Sequence, residues 1–397
     1  MSIYQLDGTE LSAAYDVQGN SLSSAFDIEG IEVLSGDYDR YSNEYQHTIL
    51  LARDAWKAEY RADNTIVPLV LATDQHGTLS KTFAKSLFSY LSLAVKWGEC
   101  SACLNLGDVA NYSVSAFNEM KTCLAPIPAN KQINIWGNHE TWTEEWGSDT
   151  SVPTADDWET LQEYYDNSAY NGYVFMPGTK CSQYMIDAVH GIKYVVIGGW
   201  DYDKSIGGHS HYVIDGTNME SIISMLSVVD DYDVVILSHV QPYSGRLGGQ
   251  IQNDGTTTWY KPEVDGRSSI GTTTATYDAI VHVLDTQLNQ LLDDRKNKRS
   301  GTVKDSYGVN HSYDFTSCTS DLICSLHGHS HTDAYDYHPL EEYTMPVVIF
   351  DAIHYDNHPF FFINIDRTRE RLNIWKVDDT PTFYNYQIPF ELADQSE

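Results

Sequence analysis

The sequence predicts an α/β layered fold, and three observations lead there. Five short apolar runs, at 67–71, 102–106, 133–136, 234–237 and 322–326, have the length and composition of buried strands. A helical pattern falls between each pair of neighbours, at 80–97, 113–124, 219–228 and 274–292, so strand and helix alternate along the chain. Each run also ends on metal-ligand residues: Asp74-Gln75-His76, Gly107-Asp108, Gly137-Asn138-His139-Glu140, Ser238-His239 and Gly328-His329-Ser330-His331. The carboxyl ends of strands in such sheets face a common crevice, which is where sites are built. Any one of these strings alone would read as a cap or a turn. Five in succession point to a polynuclear metal site.

The remaining elements follow in order. Over the first forty residues Gly8, Gly19 and Gly30, Leu11 and Leu22, Tyr15 and Phe26, and Asp16 and Asp27 recur at a period of 11 residues. Turn signals separate short apolar strands there, and repeats of this size need a neighbour to bury a face. Residues 1–45 therefore form a small β-repeat appendage and 46–397 a catalytic-size domain. The repeats resemble the short N-terminal repeats of phage tail-associated proteins. A helix is expected at 43–60 from Ile49, Leu50, Ala52, Ala55, Trp56 and Tyr60, and a closing hairpin at 361–366 and 371–377.

The ordered set D-x-H, G-D, G-N-H-E, a late strand-end His and G-H-x-H resembles the calcineurin-like metallophosphoesterase superfamily over 66–377. The lead ligands stand 34, 30, 101 and 90 residues apart. The resemblance implies two packed mixed β-sheets flanked by helices, an α/β/β/α sandwich, and two divalent metal ions. It assigns Asp74, His76, Asp108 and His331 to one ion, and Asp108, Asn138, His239 and His329 to the other. Asp108 would bridge, since a carboxylate offers two oxygens. The mixed N/O donor set suits Mn, Fe, Zn or Co. The implied activity is phosphoester hydrolysis by a two-metal-activated water, with His139 as general acid. Glu140 would orient His139, or else cap the helix that follows.

One departure narrows the substrate. Protein Ser/Thr phosphatases of the superfamily follow G-D with an acidic residue and Arg-Gly, whereas this chain reads Gly107-Asp108-Val109-Ala110-Asn111-Tyr112. Asn111 either hydrogen-bonds a phosphoryl oxygen or caps the helix expected from 113. Two long intervals stand out: 141–180 is rich in aromatic residues, and 241–273, rich in Gly and Thr, carries Tyr243, Trp259 and Tyr260 with Arg246 and Arg267. These arginines either grip a substrate phosphate or pair with surface carboxylates. The rings serve either as a substrate platform or as a satellite core.

Composition sets outer limits. The 397 residues include 24 Lys and Arg against 56 Asp and Glu, a formal charge of −32. That balance argues against nucleic acid and anionic membranes as partners, because both are gripped by cations. The start, Met1-Ser2-Ile3-Tyr4-Gln5, lacks the features of a secretion signal, and no apolar run approaches the roughly 18 residues of a membrane span. The expected location is cytoplasmic, or virion-associated if the chain is phage-encoded. Other readings stay open: a phosphodiesterase or nuclease acting on a phage or host polymer, and a virion or assembly protein whose metal site is structural. A homo-oligomer or a phage-particle partner would be engaged through the N-terminal repeats.

Overall fold

The structure, a computed structural model, describes residues 3–4, 10–11, 43–59, 64–76, 81–109, 114–137, 140, 165–179, 182–197, 214–239, 248–251, 257–260, 287–329, 334–338, 345–353, 359–378 and 383–392. Two mixed sheets face one another. The first has six strands in the order β19-β18-β17-β3-β4-β5, made of Tyr384–Pro389, Arg371–Val377, Phe360–Asp366, Ile66–Ala72, Ala102–Asn105 and Gln132–Asn134. The second has nine, in the order β11-β10-β15-β16-β14-β9-β8-β7-β6. Its strands are Thr257–Tyr260, Gly248–Ile251, Ala334–His338, Met345–Ile349, Leu322–His327, Asp233–Leu237, Ile192–Val196, Gln183–Asp187 and Val174–Phe175.

Within these sheets β3, β4 and β5 run parallel, as do β8, β9, β14 and β16. Parallel strands covered on both faces read as continuous apolar runs, which is why they stand out in the sequence. One core fills the space between the sheets, from Leu69, Leu71 and Leu104 on one side to Val235, Leu237 and Leu326 on the other. The outer face of the six-stranded sheet packs under α1 (Asn43–Lys57), α2 (Lys81–Ala94) and α3 (Val114–Leu124). Trp56 anchors α1 there: its Nε1 donates to the Ile363 carbonyl at 3.0 Å and its ring stacks on Phe362. The outer face of the larger sheet is covered by α4 (Gly216–Leu226), α5 (Asn289–Lys296) and the hairpin of β12 (Ser300–Lys304) and β13 (Asn310–Asp314). The α/β/β/α sandwich expected from the sequence is the architecture found.

Differences are local. Of the helix expected at 274–292, residues 274–286 lie outside the described residues, and α5 runs past the expected end to Lys296. The apolar pattern stops early because the last turn buries Arg295 and Lys296 instead of apolar residues. Carbonyl oxygens satisfy both cations, those of Leu226 and Ser320 for Arg295 and that of Leu322 for Lys296. Within the repeat region β1 (Ile3–Tyr4) pairs antiparallel with β2 (Glu10–Leu11). The rest of the expected repeats lies outside the described residues. Among the described residues no helix is long and apolar enough to cross a membrane.

Candidate metal centre

Four of the ligand-bearing strands deliver described side chains to one crevice. Asp74 and His76 follow β3, Asp108 follows β4, His239 follows β9 and His329 follows β14, so both sheets contribute. All five residues are buried. They form two groups whose donor atoms lie within 4.8 Å of one another: Asp74, His76 and Asp108, and Asp108, His239 and His329. Asp108 belongs to both. His239 Nε2 stands 3.1 Å from Asp108 Oδ2 and 3.8 Å from Asp74 Oδ1. His76 Nε2 lies 3.9 Å from Asp74 Oδ1 and 4.0 Å from Asp108 Oδ2. His329 Nδ1 faces His239 Nε2 at 3.3 Å.

The main chain is bent to achieve this. Asp74, His76, Asp108 and His329 adopt φ of 55°, 53°, 51° and 69°, four of the seven left-handed non-glycine residues among those described. Each such residue costs on the order of 1 kcal/mol and persists only where its surroundings impose it. Here the imposing contacts are visible. Asp74 N donates to the Gly107 carbonyl at 3.0 Å and His76 N to the Asp108 carbonyl at 2.7 Å, which locks two strand-end turns together. Gly107, at φ 102°, needs to be glycine twice over, because a Cβ there would lie 2.6 Å from His239 Nδ1. A Cβ on Gly137 would overlap Asp108 Oδ1.

Hydrogen bonds aim the ligands. The Leu106 carbonyl, which can only accept, takes a bond from His239 Nδ1 at 2.6 Å, so Nε2 is the ring atom directed at Asp108. Thr73 donates its hydroxyl to Asp74 Oδ2 at 2.6 Å, and His329 N donates to the same oxygen at 3.0 Å. Burial by itself would lower the His239 pKa, but Asp108 and Asp74 outweigh it and raise the imidazole to about 9. The two carboxylates thus draw positive charge to the point where the groups meet. Two carboxylates and three imidazoles, converging and mutually oriented, are a donor set that fits divalent transition ions.

Glu140 does something the sequence did not indicate. Its carboxylate accepts from Asp108 N at 3.0 Å, Val109 N at 2.7 Å and Gly137 N at 2.5 Å. It therefore ties the turn after β4 to the turn after β5 and holds the main chain that carries Asp108. Tyr165 sits beside it, buried in the outer core, and its phenol pKa is raised by burial and then by the Glu140 charge. Tyr165 and Tyr170, both from the first aromatic interval, are core residues.

Asn138, His139, His331 and Asn111 lie outside the described residues, as do Arg246 and Arg267. Thr73 and the Leu106 carbonyl carried no signal in the sequence. Nothing about a threonine before D-x-H or a leucine before G-D tells what faces it across a sheet.

No protein-family model matches the sequence, and no curated protein matches it either. Several solved structures are similar. A dimetal phosphatase from Danio rerio aligns at 10% identity over 82% of this chain and 99% of its own, with a TM-score of 0.46. A phosphopantetheinyl hydrolase from Mycobacterium tuberculosis aligns at 12% identity over 73% and 91%, with a TM-score of 0.38. A metallophosphoesterase from Sphaerobacter thermophilus aligns at 14% identity over 82% and 89%, with a TM-score of 0.26. At such distances the likeness assigns no residue, metal or substrate to this chain. Those assignments rest on its own side chains.

Proposed function

We propose that the chain is a dinuclear metal-dependent phosphoester hydrolase of the calcineurin-like kind. The observation that carries this reading is the double membership of Asp108, shared by both groups of buried ligand residues. An aspartate so placed, with its Oδ2 facing both His76 and His239, could bridge two ions. Bound there, two divalent ions would supply Lewis-acid stabilisation of the phosphoryl oxygens and an activated water. Asp74 and His76 would hold one ion together with His331, and His239 and His329 the other together with Asn138.

The chain's own residues would then do the rest. His139, which precedes Glu140 in the chain, would protonate the leaving oxygen, a task suited to an imidazole. Glu140 would keep Asp108 in register by its three main-chain bonds. Asn111 would donate its amide to a phosphoryl oxygen in place of the arginine that the G-D string lacks. The segment 1–45 would serve assembly or attachment, since every ligand candidate begins at Asp74.

The test is hydrolysis of p-nitrophenyl phosphate and of bis(p-nitrophenyl) phosphate by the full chain, with and without Mn²⁺. Metal-dependent release of nitrophenol is the expected result, and the ratio of the two rates tells a monoesterase from a diesterase. Protein carrying two ions per chain yet inert on both esters would overturn the enzymatic reading in favour of a structural metal site.

A further inference from the structure

We propose that His327 is a positioning residue of this metal centre, a ring that clamps the two strand ends carrying His239 and His329. The inference rests on the metal-centre reading and deepens it. Parallel neighbours β9 and β14 each run out into one imidazole of the second ligand group. Beyond their last paired residues the main chain still links them, Ser238 N to the Leu326 carbonyl at 3.4 Å and Gly328 N to the His239 carbonyl at 3.0 Å. The Ser238 carbonyl receives its bond from a side chain instead: His327 Nδ1 lies 3.0 Å from it.

That contact settles the ring's roles. A carbonyl oxygen only accepts, so Nδ1 carries the hydrogen. The same nitrogen lies 3.0 Å from Ser238 Oγ, and Nε2 is left to accept from the Ser325 hydroxyl. Both nitrogens are therefore used, and the ring is fully buried. Strand alternation explains the direction. Leu326 belongs to the core between the sheets, so Ser325 and His327 turn to the other face, away from the ligands themselves.

The consequence is geometric. By holding the Ser238 carbonyl, His327 fixes the peptide plane that leads directly into His239. The His239 ring has little tolerance, with Nδ1 on the Leu106 carbonyl and Nε2 3.1 Å from Asp108 Oδ2. On its own strand His327 precedes Gly328 and the left-handed His329, so one ring braces both imidazoles of the group. Partners that hold metal ligands in orientation typically affect metal affinity by about 10- to 100-fold when removed.

The experiment titrates the metal-free full chain with Mn²⁺ by calorimetry, alongside thermal unfolding of the same metal-free proteins. His327→Leu should weaken Mn²⁺ binding about 10- to 100-fold, beyond any change in metal-free stability. His327→Asn places an amide N–H where Nδ1–H stands and should recover most of the affinity. His327→Gln places its nitrogen at the Nε2 position, away from the Ser238 carbonyl, and should not. A lowered unfolding temperature with unchanged Mn²⁺ affinity would make His327 merely structural and overturn the inference. If His327→Leu does not fold, the Asn and Gln variants carry the test, and equal affinity in both overturns it. A wild-type chain that takes up no Mn²⁺ would sink the metal-centre reading itself. Normal wild-type uptake with an unaffected His327→Leu would sink only this inference.

Discussion

The same two sheets bury acids and histidines at both ends, and the two ends differ in how those groups are used. At the carboxyl ends of the parallel strands Asp74, Asp108, His76, His239 and His329 converge on bent, left-handed main chain. At the opposite end Ser101, ahead of β4, meets Asp187 and His190 at the β7–β8 turn, with Tyr194 and Tyr170 closing around them. There Asp187 Oδ2 accepts from Ser101 at 2.5 Å and pairs with His190 Nδ1 at 2.6 Å, while Oδ1 accepts from Val189 N and His190 N. The Ser101 hydroxyl also meets Tyr194, and the Tyr170 hydroxyl donates to the Ser101 carbonyl. None of these residues is left-handed. Burial of an acid beside a histidine is thus common to both ends and diagnostic of neither. Convergence of several donors on one point, held by left-handed main chain, is what distinguishes the candidate metal centre. The other end is a polar fastening between the sheets.

The comparison can be broken by substitution, and the largest effect is expected at Asp108. Asp108→Asn should abolish turnover and bring metal content below two ions per chain by elemental analysis, because an amide bridges poorly. Full occupancy with normal turnover would remove the bridging assignment. His139→Ala comes next. It should lose about 10²- to 10⁴-fold in turnover, the usual worth of a general acid, with metal content nearly unchanged. The loss should shrink for esters with good leaving groups. Loss of metal along with activity would make His139 a ligand instead.

The fastening should respond in the opposite sense. Burial raises the Asp187 pKa, but hydrogen bonds from His190 and Ser101 outweigh it and bring it to about 2. A carboxyl lowered on folding stabilises the protein above its unfolded pKa, near 4, and loses that contribution as pH falls toward 2. Asp187→Asn should therefore cost about 1–2 kcal/mol at neutral pH, flatten the acid limb of the stability curve, and leave turnover unchanged. A stability difference that persists undiminished at pH 2 would show that ionisation of Asp187 is not its source. The smallest effect on chemistry is expected from removing residues 1–40. Molar mass by light scattering should fall while turnover per chain stays the same. Unchanged mass would end the assembly proposal, and lost turnover in a folded, metal-loaded protein would bring this segment to the site.

Much of this was legible in the chain. The five apolar runs became β3, β4, β5, β9 and β14 because strands covered on both faces must be apolar throughout. That Asp74, His76, Asp108, His239 and His329 would converge could be anticipated because residues of ligand type at strand ends are separated from those strands by only one to three residues. Local spacing determined these features, and local spacing is what a sequence displays. The partners of Glu140, the hydroxyl of Thr73 on Asp74, and the Leu106 carbonyl under His239 were decided only by the tertiary structure. So were the burial of Arg295 and Lys296 and the His327 clamp on Ser238. Each depends on which main-chain group lies opposite across a sheet or between sheets, and main-chain amides and carbonyls are the same at every position. A side chain that bonds to the backbone leaves no complementary residue in the sequence to mark its partner.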